Sequence, residues 1–409
     1  MFRELNKLLF LIIFAKQLSR YHSYINSSKD ILSQYKGEEP FPSFLRKFFS
    51  QNKKYGSKDR KHISHLCYCY FRLGKSMTAI SIEEQLLVGL FLCSSESNEI
   101  LKELKPEWNE AVATNIEEKI SLTGISISIQ NIFSWQNELS ETIDANEFIY
   151  SHLQQPDLFL RLRPGKEALV KQKLKTAGIS FDVVSETCLV LPNSSKIDEV
   201  IELDKEAVVQ DYSSQRVGEF LHPFRKRQSD QVWDCCAASG GKSIMAKDIL
   251  GEIDLTVTDV RESILINLKK RFAAAGIKNY KSVIADLSQP LKYFDNESFN
   301  IIIADVPCSG SGTWGRTPEQ LIFFDDKKIE EYTGLQKTII SNVIPKLKID
   351  GYLLYITCSV FKKENEEVID FIQEKFHLGV VKVELLKGYD NKADTMFAAL
   401  LQKPPEIIH

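Results

Sequence analysis

From about residue 212 onward the chain alternates strand-like and helix-like segments, and that alternation restricts the fold more than any other feature. Val232 to Cys235 is strand-like, Lys242 to Leu250 reads as a helix stopped by Gly251, and Asp254 to Thr258 is a strand. Helix Ser263 to Ala275 ends before Gly276, and strand Val283 to Ala285 follows. Then come strand Asn300 to Ala304, helix Lys327 to Leu347, strand Tyr352 to Ile356 and helix Glu364 to Phe376. Strand and helix in turn predict a doubly wound, mostly parallel sheet, because parallel neighbours need a crossover between them. The chain closes with two strand-like runs, Gly379 to Leu386 and Thr395 to Gln402, with no long helix between them.

The region ahead reads differently. Residues 1 to about 140 carry apolar residues at three- and four-residue spacing, as in Ile63 to Leu73 and Ile82 to Leu92, which predicts an all-helical domain. Within it Arg46, Lys47, Lys53, Lys54, Lys58, Arg60 and Lys61 face a single acid, Asp59, with Phe44, Phe48, Phe49 and Tyr55 interleaved. That stretch suits a phosphate backbone, or equally a solvated helix face whose aromatics turn inward. His62, His65, Cys67 and Cys69 are all metal-ligand types, but Cys67 leaves the helix face that the other three share, and no second ligand group follows. Core packing, and no metal, is expected there. From about 145 to 210 the segments Leu158 to Leu162, Glu167 to Ala177, Ile179 to Val184, Cys188 to Leu191, Ile197 to Leu203 and Ala207 to Asp211 read as β-α-β-β-α-β, a small split βαβ module of RRM type. Its stretch 161–175 carries Arg161, Arg163, Lys166, Lys171, Lys173 and Lys175 against Glu167 alone, and two local basic stretches ahead of a third domain suggest a polyanionic substrate.

The 409 residues, 43% hydrophobic and 26% charged, supply apolar mass for two or three cores. Lysine and arginine (52) against aspartate and glutamate (55) leave a net charge of -3, so the chain as a whole is no polycation and nucleic-acid contacts must come from local patches. The 8 cysteines lack paired CxxC spacing and fit free thiols in a reducing compartment. Leu8 to Ala15 has the length of a signal h-region, but Lys16, Arg20 and the lack of a cleavage site favour an ordinary helix or an over-long start. No other apolar stretch approaches the roughly 18 residues of a membrane span. A cytoplasmic, monomeric protein without a membrane partner is expected.

After the first strand of the last region comes Cys236-Ala237-Ala238-Ser239-Gly240-Gly241-Lys242-Ser243. Small residues at a strand-to-helix turn let a ligand approach the backbone. Gly241-Lys242-Ser243 resembles the end of a Walker A loop, but the first glycine of that pattern falls on Cys236, and G-x-G-x-x-G is absent. That disfavours a phosphate-cradling ATPase. Asp259 stands at the end of the second strand, where an acid pairs with ribose hydroxyls, and Asp286 ends the third strand on the adenine side. An adenosine-containing cofactor is the better reading.

The fourth strand runs into Asp305-Val306-Pro307-Cys308-Ser309-Gly310-Ser311-Gly312, and the fifth into Thr357-Cys358-Ser359. Strands about 4.8 Å apart would let both cysteines address one substrate ring at the carboxyl edge. These motifs, with Glu364-Asn365-Glu366 and the opening stretch Gln210-Asp211-Tyr212-Ser213-Ser214-Gln215, resemble the RsmB/Nop/Sun family of RNA cytosine-5 methyltransferases over roughly residues 145 to 405. The terminal hairpin is likewise the pattern of class I methyltransferases, and Ser57 to Arg72 is similar to the NusB-like extension of RsmB-type members. The sequence departs from the family pattern at Ser239, usually proline, and at Gly315-Arg316-Thr317-Pro318-Glu319, with one arginine where many members have two.

The resemblance implies an all-α NusB-like domain over 1–140, a small α/β RNA-facing module over 145–210 and a Rossmann-like methyltransferase domain over 211–409. It implies S-adenosylmethionine as cofactor, held by Cys236, Ala237, Ala238, Ser239, Gly240, Gly241, Lys242, Asp259, Asp286 and Asp305. Carbon 5 of cytosine is too weak a nucleophile to take a methyl group unaided, so a thiolate first adds to carbon 6. By resemblance Cys358 is that nucleophile, Asp305 polarises the N3 and amino edge, and Cys308 assists loss of the C5 proton. DNA cytosine methyltransferases use the Pro-Cys cysteine as nucleophile, which leaves the exchanged assignment open. The implied partner is RNA, ribosomal RNA because of the RsmB-like front end, with Arg316, Arg225, Lys226 and Arg227 as candidate backbone contacts or plain loop charge. Transfer RNA as substrate and a non-catalytic RNA-binding assembly factor are the alternatives.

Overall fold

The computed structural model describes residues 20–77, 80–225, 230–291, 294 and 297–405. The signal-like run Leu8 to Ala15 with Lys16, and the cations Lys226 and Arg227, lie outside the described residues. The chain forms two compact units.

One unit gathers the described residues up to 136 with 145–155 and 314–324. Its longer helices are 20–34, Phe41–Gln51, Ser57–Arg72 and Ile82–Cys93. The last starts on a capping box: Ser81 Oγ accepts from the Glu84 N–H at 3.2 Å, and the Glu84 carboxylate accepts from the Ser81 N–H at 3.3 Å. All residues from Leu86 to Leu92 are buried, so this helix is central to the unit. The helical domain expected to end near 140 is discontinuous, and Arg72 supplies the physical reason. Its guanidinium is 5% exposed and donates to the carbonyls of His152, Gln154 and Gly315 at 2.8 Å each. A buried guanidinium must have its donors filled, and carbonyls from the two remote segments fill them. Trp314 adds packing, with ring centroids 5.1 Å from Trp135 and 4.8 Å from Phe324.

The other unit holds two sheets. In the smaller, β1 (Leu158–Leu162), β2 (Asp182–Ser185), β3 (Cys188–Leu191) and β4 (Ala207–Val209) run in the order β2-β3-β1-β4, all pairs antiparallel. The helix Glu167–Thr176 follows β1 and buries Val170 and Leu174. The expected second helix, Ile197 to Leu203, is absent. One turn closes there, with the Ile201 N–H on Ile197 O at 2.8 Å, before Asp204 turns the chain at φ 64°. Ile197 and Ile201 are buried in the small core, so their four-residue spacing reflects one turn seated on the sheet and not a longer helix.

The larger sheet contains β5 (Gln231–Asp234), β6 (Asp254–Asp259), β7 (Lys281–Ile284), β8 (Phe299–Asp305), β9 (Leu347–Thr357), β10 (Gly379–Leu386) and β11 (Met396–Gln402), in the order β10-β11-β9-β8-β5-β6-β7. Strands β5 to β9 pair in parallel, and β10 and β11 add the antiparallel hairpin. This is the Rossmann-like α/β fold. Successive side chains alternate faces: Val232 enters a core with Ile244, Leu268 and Phe272, and Trp233 one with Phe294, Ile340 and Ile372. The helix expected to reach Leu347 ends at Val343. A short 3-10 turn over Ile344–Lys346 follows, and β9 begins at Leu347 in place of Tyr352. Pro345 has no N–H to continue the helix. No helix among the described residues is long and apolar enough to cross a membrane.

Candidate active site

The chain builds outward through β5, β6 and β7, then returns to place β8 on the other side of β5. Crossovers leave in opposite directions at that point, which opens a crevice at the strand carboxyl ends. A cavity of about 380 Å³ occupies it, and its lining includes Cys236, Ala238, Asp259, Asp286, Asp305, Cys308 and Cys358. Tyr332, Leu335 and Ile339, from the helix Lys327–Val343, close one wall. No motif singled these three out, because their contribution depends on which helix covers the crevice.

The turn after β5 is tight. Ala238 has φ 46° and Gly240 φ 85°, and a Cβ at Gly240 would lie 2.7 Å from Phe272 Cε1, so glycine is required there both for the turn and for close packing. Asp259 is 6% exposed and accepts from the backbone N–H groups of Ala238 at 3.1 Å and Arg261 at 2.9 Å. Asp286 is exposed and holds Ser288 through its N–H at 2.9 Å and hydroxyl at 2.6 Å. Ser239, the departure from proline, is fixed by other means: Arg271 donates to its carbonyl at 3.1 Å and its Oγ at 2.9 Å, and also grips Asp204 at 2.7 Å.

Lys242, in the first turn of the helix Gly241–Leu250, sends Nζ to Asp305 Oδ2 at 2.8 Å and so joins the turn to the end of β8. Burial alone would lower the pKa of this ammonium, but the Asp305 carboxylate outweighs it and holds the value above the ordinary one. Behind them sits Asp234, 0% exposed, a residue that sequence reasoning passed over. Ser243 donates to its Oδ2 at 2.6 Å, and Oδ1 has no hydrogen-bond partner among the described residues. Burial pushes the Asp234 carboxyl up to about 7, against the pull of the Ser243 bond.

The two cysteines meet. Cys308 Sγ lies 3.3 Å from Cys358 Sγ, both half-buried, on the loops that leave β8 and β9. Hydrogen bonding with Cys358, together with burial, pushes the Cys308 thiol well above its ordinary value. The loop after Cys308 is seated by backbone bonds: the Gly312 N–H donates to Cys358 O, and Gly312 O accepts from the Thr395 N–H, both at 2.9 Å. A Cβ at Gly312 would fall 2.0 Å from Thr395 O, so only glycine fits. The arrangement presents two thiols and a carboxylate to one small space, a set suited to covalent chemistry on a flat, electron-poor ring.

The other candidates separate. Arg161 and Arg163 are not open cations, for both grip Asp248 at 2.6 Å, and Lys173 is held by Glu206 at 2.7 Å. The opening-stretch residues Gln210 and Asp211 serve as joints, Gln210 accepting from Arg161 Nε at 2.7 Å and Asp211 from the Asp394 N–H at 3.0 Å. Arg225 is exposed, and Arg316 falls in the helical unit. Arg46, Lys53 and Lys61 are exposed while Phe48 and Phe49 are buried, the geometry of a solvated helix face with inward aromatics. His65 and Cys69 touch at 3.6 Å, and among the described residues no group of three or more His, Cys, Asp or Glu is arranged to hold a metal.

Residues 221–402 match the family model described as 16S rRNA methyltransferase RsmB/F. Ribosomal RNA small subunit methyltransferase B of Salmonella arizonae is 35% identical over 170 residues, 40% of this chain and 38% of that protein. The chain thus spans about two fifths of the length of the curated relatives it matches. Among solved structures, PH0851 superposes with a TM-score of 0.66 at 19% identity, over 89% of this chain and 95% of that one. NSun6 from Pyrococcus horikoshii with SFG gives 0.57 at 16% identity, over 67% of this chain and 97% of that one. At such identities the structural likeness is one of fold.

Proposed function

We propose that the chain, through its residues 221–402, is a member of the RsmB/Sun family and that it methylates carbon 5 of a cytosine in RNA, ribosomal RNA, through a covalent cysteine adduct. The observation that carries the reading is the pair of thiols 3.3 Å apart beside Asp305 at the switch-point crevice.

The cavity lining fits S-adenosylmethionine: Asp259 and Asp286 suit the ribose and adenine side, and the 236–242 turn, with glycine at the tight positions, admits a ligand close to the backbone. When bound, that cofactor supplies an electrophilic methyl group. Cys358 adds as thiolate to carbon 6, forming the S–C6 bond and shifting the C5–C6 electron pair to make carbon 5 nucleophilic. Asp305 holds the N3 and amino edge of the ring, with Lys242 keeping its carboxylate in place. Once carbon 5 carries the methyl group, its proton leaves with the assistance of Cys308, which accepts it as thiolate, and the returning electron pair restores the C5–C6 double bond and expels Cys358. The target base must leave its stack to enter the crevice.

The test uses Cys308→Ala protein with S-adenosylmethionine and unmodified ribosomal RNA, resolved on a denaturing gel beside the Cys308→Ala/Cys358→Ala protein. A heat-stable RNA adduct in the single variant alone is expected. An adduct formed by Cys358→Ala but not by Cys308→Ala would reverse the two roles, and no adduct in any variant that still binds RNA and cofactor would overturn the covalent reading.

A further inference from the structure

Glu364 is a fully buried carboxylate, 0% exposed, for which the chemistry above has no use. Its Oε2 accepts from the Ser309 N–H at 2.8 Å and from Gln336 Nε2 at 3.0 Å, and its Oε1 accepts from the Ser359 hydroxyl at 2.9 Å. Ser309 directly follows Cys308, and Ser359 directly follows Cys358. Gln336 extends the grip, since its amide also donates to the carbonyl of Pro307 at 2.9 Å, on the other side of Cys308. One carboxylate therefore holds both cysteine loops, an oxygen for each. The loops also meet directly, and the Val360 N–H donates to Ser311 Oγ at 2.9 Å. Ser359 Oγ lies 3.1 Å from Ser309 Oγ and 3.2 Å from Ser311 Oγ, and the backbone bond from Gly312 reaches Cys358 O.

Glu364 is itself well anchored. Tyr355 OH donates to its carbonyl at 2.6 Å, and Asn365 is locked by the Thr357 hydroxyl at 2.6 Å and by its own donation to Ser359 O at 3.0 Å. Burial raises the Glu364 carboxyl above its ordinary value against the pull of the Ser309, Ser359 and Gln336 bonds. A buried acid that must be satisfied by three donors is a costly way to fill space, and is understandable where geometry is what it secures.

We infer that Glu364 is a positioning residue of the two-cysteine centre: its carboxylate ties the Cys308 loop to the Cys358 loop and sets the separation of the two thiols. The kinetic consequence rests on the proposed function, because a base 3.3 Å from the nucleophile is useful only if one thiol forms the adduct and the other helps release it. The separation itself is a property of the protein alone and can be read without RNA.

The probe is phenylarsine oxide, whose trivalent arsenic condenses with two nearby thiols, forming two As–S bonds and releasing water without any change of oxidation state. The uptake that disappears in Cys308→Ala protein belongs to this pair. In Glu364→Ala that component should weaken at least tenfold. In Glu364→Gln, whose amide oxygen can still accept from Ser309 and whose NH₂ can face the Ser359 hydroxyl, it should weaken less than threefold. Ser359→Ala, which removes the Oε1 anchor together with the hydroxyl's contacts to Ser309 and Ser311 and the bond from the Phe361 N–H, should also weaken it and serves if Glu364→Ala does not fold. With RNA and S-adenosylmethionine, Glu364→Ala should form adduct but release it at least tenfold more slowly, with the KM for S-adenosylmethionine unchanged. Wild-type arsenical affinity in both Glu364→Ala and Ser359→Ala, or in Ser359→Ala alone where Glu364→Ala does not fold, would overturn the inference. If the wild-type protein itself transfers no methyl group, the proposed function fails while the arsenical result still decides the role of Glu364.

Discussion

Replacing Asp234 by asparagine should make the protein more stable above neutral pH, by an amount set by one buried carboxyl. Asp234 is 0% exposed, and its carboxyl is raised from 3.8 to about 7. An acid raised in the folded state stays protonated there while the unfolded chain has already ionised. Between the two values the unfolded state binds fewer protons, so stability falls as pH rises, and the loss is complete above the folded value. At about 1.4 kcal/mol per pH unit, the span from 3.8 to about 7 amounts to about 4 kcal/mol. Asparagine keeps an acceptor for the Ser243 hydroxyl, which donates to Asp234 at 2.6 Å, and carries no charge to bury. Near pH 4 the two proteins should therefore be about equally stable, and the variant should gain progressively up to pH 8. Urea unfolding at each pH unit from 4 to 8 measures the difference from paired midpoints. Parallel pH profiles for the two proteins, or a variant less stable at pH 8, would refute the argument that burial dominates at Asp234.

Gly312→Ala should cost about 3 kcal/mol or more in urea unfolding, since its Cβ would sit 2.0 Å from Thr395 O and two backbone hydrogen bonds would have to shift; a loss under about 1 kcal/mol would mean that the loop yields freely. Asp248→Ala leaves two guanidinium groups, 8% and 14% exposed, without their shared acid, and should lower stability by about 3 to 5 kcal/mol in the same assay; a neutral result would show that solvent reaches them. If the helical unit grips RNA through Arg46, Lys53 and Lys61, changing all three to alanine should reduce the slope of log affinity against log salt by about 2 to 3, and an unchanged slope would leave that face merely solvated.

Much of the parallel sheet was legible because its periodicity is local: each strand and crossover helix carries its own apolar pattern within a dozen or so residues. Periodicity misled at two places, each for its own reason. Ile197 and Ile201 have helical spacing, but one turn against the small sheet satisfies it, and at Pro345 the missing N–H ends a helix whose apolar run continues into β9. The two thiols of the proposed centre were legible for a different reason. Cys308 and Cys358 stand directly after strands, and a doubly wound sheet delivers such positions to one edge whatever lies between them.

The sequence by itself determined the alternation that makes a doubly wound sheet, and it put Asp259, Asp286, Asp305, Cys308 and Cys358 at the carboxyl ends of its strands. Tertiary structure alone decided what those residues and the basic stretches have as neighbours. Arg161 and Arg163 look like open cations until Asp248, over 80 residues away, neutralises them. Segment 314–324 looks like part of the last domain until Arg72 takes the carbonyl of Gly315. Glu364 is an acid ahead of a helix until Ser309, Gln336 and Ser359 converge on it. Periodicity is a property of consecutive residues and survives in one dimension. Hydrogen bonds and ion pairs act over about 3 Å, and which groups come that close is known only once the chain has closed on itself.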